Sequence, residues 1–312
     1  MSNAAWLDTV LFAPRALASI EADGLASRPD IRFIRTKTGK VRVRAQIEDG
    51  KPVVIVFPDG PNIIEHYDPI FEAFRGKYSL VAIEPPGLGF SYAHHPDALG
   101  FKGTVQAVVA VIEAMQLERL IVTGSCVQAY LAIAIAAALP DRTLGVIAAQ
   151  ATDMEGQRKW TCSEVDPQGF LREPVVGQMA WARSVNRERF GIDAWYKIAA
   201  GSGVDIAGWQ ETARWSIRCG ACHALATLIQ SWFDGEPIDI PVWNGPAVIM
   251  FGLADATHLR AGSNPEGLRA YVPNAEMCLI ERAGHFPELE ALSEYAGAID
   301  ALVNKAAIDM DA

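Results

Sequence analysis

LIVTGSCVQAYLAIAIAAALP, residues Leu120 to Pro140, decides the fold. An apolar run of strand type breaks at Thr123-Gly124, and an Ala/Ile-rich helical pattern begins at once and runs to Pro140. A strand that turns sharply into a helix lifts the side chain at the turn above the sheet. Such a turn is strained, so small residues are needed two positions before the apex and usually two after it. Gly124 lies two before Cys126, whereas an apex at Ser125 would put the β-branched Thr123 at the tight position. Cys126 is therefore the expected nucleophile and Ser125 its neighbour, in the order Gly124-Ser125-Cys126-Val127-Gln128.

Working outward, PVVIVFP, YSLVAIE, RLIVTG, LGVIAAQ, PAVIMFG and EMCLIER are short, continuous apolar runs rich in Val and Ile, the texture of strands buried on both faces. Helical patterns lie between most of them, near Ile64–Phe74, Val105–Met115, Val127–Leu139, Pro265–Tyr271 and Leu292–Asn304. Upstream, an amphipathic helix precedes IRFIRTKTGKVRVRAQIE, which reads as two alternating strands around a turn near Lys37-Thr38-Gly39. The fold class expected is α/β, a mostly parallel sheet with helices on both faces. From Thr152 to Val242 the alternation stops. Only helical patterns remain there, with six of the eight tryptophans: Trp160, Trp181, Trp195, Trp209, Trp215 and Trp232. We read residues 152–242 as a helical lid inserted into a core made of 1–151 and 243–312. Some of its tryptophans are expected in a pocket wall, Trp181 and Trp215 first.

At this point the chain resembles the α/β-hydrolase fold superfamily over nearly its whole length. The resemblance implies eight strands, a lid after the sixth, and a triad in the order nucleophile, acid, histidine. PAVIMFGLAD places Asp255 after the seventh strand, and CLIERAGHFPELE places His285 after the eighth. Asp153, just after LGVIAAQ, is the reserve acid. EPPGLGFS, Glu84 to Ser91, looks like the loop after the family's fourth strand. VFPDGPN, Val56 to Asn62, is similar to its oxyanion turn, with Pro58 and Asp59 in place of the usual His-Gly. Val127 and Gly60 are the implied backbone donors; Pro61 has no N–H to give. Ser125, Gln128 and Asp59 are expected to meet substrate.

Chemically, a thiol is only a few per cent ionised at pH 7, so it needs a base, His285, and a helix N-terminus to favour the anion. Asp255 would hold the imidazole's tautomer and stabilise the imidazolium. A Cys acyl-enzyme is a thioester, nearly isoenergetic with a phosphopantetheine thioester. Cysteine-bearing relatives include carrier-protein acyl- and aminoacyltransferases and dienelactone hydrolases. The expected activity is therefore acyl or aminoacyl transfer from a carrier-protein or coenzyme thioester. The alternative is a hydrolase (thioesterase, esterase or lactonase) with the same triad. Further behind stand a non-enzymatic ligand-binding member, suggested by Pro58-Asp59 and Gln128, and a lyase or isomerase. A carrier partner would favour basic residues at the mouth, for which Arg172, Arg183, Arg187, Arg189 and Lys197 are candidates.

The totals agree with this reading. A chain of 312 residues, half of them hydrophobic, can bury a core without disulfide or metal staples. A formal charge of -10 argues against nonspecific attraction to nucleic acid or anionic membrane. The first residues carry Asp8 within an apolar stretch and lack a basic leader, so a cytoplasmic location is expected. No metal or bound cofactor is implied. RCGACH, Arg218 to His223, matches a haem-attachment pattern, but neither haem, a redox pair nor zinc fits its context; buried lid cysteines do.

Overall fold

A computed structural model describes residues 4–11, 28–185, 191–234 and 238–311. The longer strands are β1 (Ile31–Arg35), β2 (Gly39–Gln46), β3 (Val53–Phe57), β4 (Ser79–Ile83), β5 (Leu120–Ser125), β6 (Thr143–Ala149), β7 (Ala247–Gly252) and β8 (Glu276–Ile280). They join in the order β1-β2-β4-β3-β5-β6-β7-β8. β1 and β2 are antiparallel, as is β2 to β4; from β4 onward every pairing is parallel. The continuous apolar runs have their explanation here: β3, β4, β5 and β7 are buried at every residue, because helices cover both faces.

On one face lie the helices Phe101–Ala114 and Val127–Ala138, in a core shared with Ile55 and Phe57 of β3. On the other, Tyr67, Phe71 and Phe74 meet Tyr295, Ile299 and Leu302 of the last helix, Leu292–Asp311. Residues 127–136 are all buried, so this helix has no solvent face to mark with polar residues. Between β6 and β7 the chain forms helices Met154–Trp160, Val176–Val185, Ile192–Ala199 and Ile206–Arg218. One element there departs from the all-helical expectation. Cys222–His223 pairs antiparallel with Leu88–Gly89, stitching this region to the loop after β4. Among the described residues, no helix is long and apolar enough to cross a membrane.

A buried charge cluster fixes the segments that follow β3 and β4. Arg42 of β2 is fully buried, with Nη1 3.1 Å from Glu84 Oε1 and 3.0 Å from Glu65 Oε2. Glu84 also accepts the Ile64 N–H at 3.1 Å and the Phe90 N–H at 2.7 Å. The carboxylate thus holds both the segment following the Asp59 turn and the EPPGLGFS loop. Removing one partner of a buried ion pair leaves an uncompensated charge, which costs about 3–5 kcal/mol. Arg42→Met should therefore lower unfolding stability by that amount in denaturant titration, and adding Glu84→Gln should recover part of it.

Candidate active site

The strand-to-helix bend has Cys126 at its apex. Its backbone, at φ 55° and ψ −126°, occupies a region that side-chain-bearing residues rarely adopt. The Cys126 N–H donates to Ala149 O of β6 at 2.9 Å, fixing the bend against the sheet. A β-carbon on Gly124 would lie 2.2 Å from the Gln128 carbonyl oxygen, so only glycine fits there. Gln128 itself can be large because its side chain lines the cavity, where Oε1 has no hydrogen-bond partner among the described residues.

Asp255 follows β7 and caps the helix Ala256–Ala261. Its Oδ1 accepts the Thr257 N–H at 2.8 Å and the Thr257 hydroxyl at 2.6 Å. Its Oδ2 accepts Gln150 Nε2 at 3.2 Å and lies 2.7 Å from His285 Nδ1. Burial alone would raise this carboxyl; the charge of His285 and its hydrogen bond outweigh burial and hold it well below the usual carboxylate range. The His285 backbone N–H donates to Ala199 O at 2.8 Å, at the end of an inserted helix. Aromatic rings wedge its imidazole: Trp160 stacks at 5.5 Å, and Trp195 meets it edge-on at 5.0 Å.

The other ring nitrogen, Nε2, faces a second carboxylate. Asp59 Oδ2 lies 3.4 Å away, and the donor atoms of Asp59, Cys126 and His285 are all within 4.8 Å of one another. Gln157 Nε2 donates to Cys126 Sγ at 3.4 Å. Burial would lower His285, but the charge of Asp255 and its hydrogen bond, with the Asp59 carboxylate 3.4 Å from Nε2 and Cys126 beside it, hold it well above its ordinary value. Burial raises Asp59, partly offset by His285. Burial, then the charge of Asp59, push the Cys126 thiol up to about 11, against the pull of His285 and the Val127 N–H. The resting thiol is neutral. Asp255, His258 and His285 form a second grouping with donor spacing a cation could share, but it and the first both use His285.

Several expected residues line one cavity of about 260 Å³: Asp59, Gly60, Cys126, Val127, Gln128 and Trp181, with His285. Two do not. Ser125 turns its hydroxyl back to His285 O at 3.2 Å, beneath the bend, because adjacent residues at this turn project to opposite sides. Trp215 packs against Phe90 in a separate apolar cluster with Ile63, Cys219 and Ala221. The reserve acid Asp153 is engaged elsewhere, capping the helix Met154–Trp160 through the Gly156 N–H at 2.7 Å. Arg187 and Arg189 lie outside the described residues. Arg172 pairs with Asp166 at 3.2 Å. Sequence reading missed Gln150, Gln157, Trp160 and Trp195 as neighbours of the cluster, since nothing local distinguishes them; it missed the Asp59–His285 contact for the same reason.

No protein-family model matches the chain, and no curated protein matches it. Solved structures do. A mutant epoxide hydrolase from Bacillus megaterium, complexed with its product, superposes with a TM-score of 0.68 at 15% identity, over 88% of this chain and 100% of that one. Epoxide Hydrolase A from Mycobacterium thermoresistibile gives 0.67 at 17%, over 88% and 98%. Est816, an N-acyl homoserine lactone degrading enzyme, gives 0.61 at 16%, over 86% and 99%. With the strand order above, these likenesses show that the chain has the α/β-hydrolase fold.

The charge arrangement sets the pH response of the thiol. Asp59 opposes ionisation of Cys126, so Asp59→Asn should lower the thiol's pKa. Alkylation of Cys126 by iodoacetamide, followed by intact-protein mass spectrometry across pH, should be half-maximal near 11 in the native chain. In Asp59→Asn the midpoint should move to lower pH; an unmoved midpoint would show that Asp59 does not act on the thiol.

Proposed function

We propose that the protein is a hydrolase that cleaves a small ester, thioester or lactone through a covalent thioester on Cys126. The observation that carries this reading is the meeting of a thiol at a strand-to-helix apex with His285, whose far nitrogen Asp255 holds at 2.7 Å. A hydrolytic outcome is favoured over transfer from a carrier protein. The cavity, about 260 Å³ with Trp160, Trp181, Trp195, Leu228, Ile229 and Phe233 in its wall, suits a compact and largely apolar substrate. Structural neighbours include epoxide hydrolases and a lactone-degrading enzyme, beside a bromoperoxidase; the hydrolytic names support hydrolysis and none lends support to a carrier partner.

In this mechanism Asp59 and His285 work as a pair that holds one proton at rest, on His285 Nε2. Cys126 Sγ attacks the acyl carbon while its proton passes to the Asp59 carboxylate. Asp59, now neutral, joins the Val127 and Gly60 N–H groups in facing the developing oxyanion; an ionised carboxylate there would repel it. The carbon–heteroatom bond breaks, and the leaving group takes the proton from Nε2. His285 then deprotonates a water that attacks the thioester. Collapse releases the carboxylic acid and the thiolate, which recovers its proton from Asp59. Ester and water have become acid and alcohol, and every group has returned to its starting state. A carboxylic acid kept neutral by burial to donate a hydrogen bond to an oxyanion is an established device in other enzymes.

The test is intact-protein mass spectrometry with a panel of short-chain aryl esters and pantetheine thioesters. An acyl adduct should form and clear in water at the turnover rate, and Cys126→Ala should remove both adduct and turnover. Asp255→Asn should leave the fold intact and lower kcat by about ten-thousandfold, because the imidazole loses its fixed tautomer. Turnover that persists in Cys126→Ala would overturn the covalent route. Discharge of the adduct by added thiol far faster than by water would restore the transferase reading.

A further inference from the structure

The RCGACH segment has a use that none of the motif readings assigned. Its last residue, His223, is only 4% exposed and lines the same cavity as Cys126 and His285. Neither of its ring nitrogens has a hydrogen-bond partner among the described residues. Its main chain, in contrast, is anchored: Leu88 is its partner in the short antiparallel pair, and its carbonyl accepts the Trp181 indole N–H. The imidazole is thus held firmly by its backbone and left free at its polar atoms.

Its position relative to the reaction centre is set by Gly60. A β-carbon on Gly60 would lie 3.5 Å from His223 Nδ1, so the ring stands over the backbone of the expected oxyanion donor. Burial, then the nearby His66, hold His223 down to about 4, leaving a neutral ring with one N–H donor and one acceptor lone pair. A buried polar group without a partner is costly, and a histidine serving only to fill a core normally finds one. Other polar atoms of cavity-lining residues are also unpartnered among the described residues: Gln128 Oε1, Thr161 Oγ1 and Trp195 Nε1. The wall is apolar in area but carries placed, unused hydrogen-bonding atoms, the pattern of a site that fixes one orientation of a ligand.

We propose that His223 is a specificity residue that hydrogen-bonds an oxygen substituent on the substrate, near the scissile carbonyl, making the substrate class hydroxy- or oxo-acyl esters rather than plain alkyl esters. The position of that oxygen rests on the ester-hydrolase reading above; the existence of the polar subsite does not. A hydroxyl satisfies the ring in either tautomer, as donor to the bare nitrogen or acceptor from the protonated one. A plain alkyl chain would leave both nitrogens unpaired, and a site built around buried polar groups discriminates strongly against such an analogue.

The experiment compares aryl esters of butanoic acid with those of its 2-hydroxy, 3-hydroxy and 3-oxo derivatives, using the full chain, His223→Leu and His223→Gln. The native chain should favour at least one oxygenated ester over butanoate by about tenfold or more in kcat/KM. His223→Leu should abolish that preference, bringing kcat/KM for the oxygenated esters to the value that same variant shows with butanoate, and His223→Gln should restore part of it. His223→Leu should also melt no lower than the native chain, since it replaces unpaired polar atoms with apolar ones. No preference in the native chain, or a preference that survives His223→Leu, would overturn the inference. The matching primary amides, titrated against the chain while the histidine imidazole nitrogen resonances are followed, give a readout that needs no turnover. A His223 shift with an oxygenated amide and not with butanamide, in a chain that hydrolyses none of the esters, would keep the subsite and sink the hydrolase reading. Absence of that shift sinks the subsite.

Discussion

The bend at Cys126 is the constraint from which the rest follows. A side-chain-bearing residue at φ 55° costs on the order of 1–3 kcal/mol, and it persists only because its surroundings over-determine it. They do so on three sides. The preceding strand lies in mid-sheet between β3 and β6, the Cys126 N–H is tied to Ala149, and the following helix is buried over its first ten residues, 127–136. The strain is held where the sheet is most rigid, and it aims one thiol above the strand ends. Gly124 and the cavity-directed side chain of Gln128 are consequences of the same turn.

Around that thiol the electrostatics oppose ionisation. Asp255 at one nitrogen of His285 and Asp59 at the other stabilise a protonated ring, while burial and then Asp59 oppose ionisation of the thiol. A buried cluster of this kind is stable only where each charge has a partner. The same logic recurs on the other side of the Asp59 turn, where Arg42 is satisfied by Glu65 and Glu84. Glu84 in turn binds the Ile64 N–H, so the position of Asp59 depends on a salt bridge reaching back to β2.

The segment between β6 and β7 completes the site rather than merely covering it. It supplies Gln157 to the thiol, Trp160 and Trp195 to the faces of His285, the Ala199 carbonyl to its backbone, and His223 to the cavity. The cavity wall combines apolar side chains with polar atoms that have no partner among the described residues. Its short antiparallel contact with Leu88–Gly89 ties it to the loop that Glu84 holds.

Read alone, the sequence placed the sheet, the bend at Cys126, and Asp255 and His285 after their strands. Those are local quantities. Continuous Val/Ile runs suit strands buried on both faces, a glycine two before Cys126 marks the tight turn, and Asp255 and His285 each lie a few residues after a strand. Tertiary structure decided what lies across space from them. Ser125 is one residue from Cys126 yet turns beneath the bend, and Trp215 looks like any other tryptophan between β6 and β7 but packs against Phe90 instead of in the cavity wall. Asp59 and His285 are separated by more than two hundred residues of chain, so no spacing pattern could announce a carboxylate at the second imidazole nitrogen. His223 sat in view within a motif whose familiar meanings did not apply. Its significance is the lack of a partner among the described residues, and an unpaired atom becomes visible only when its neighbours are in place.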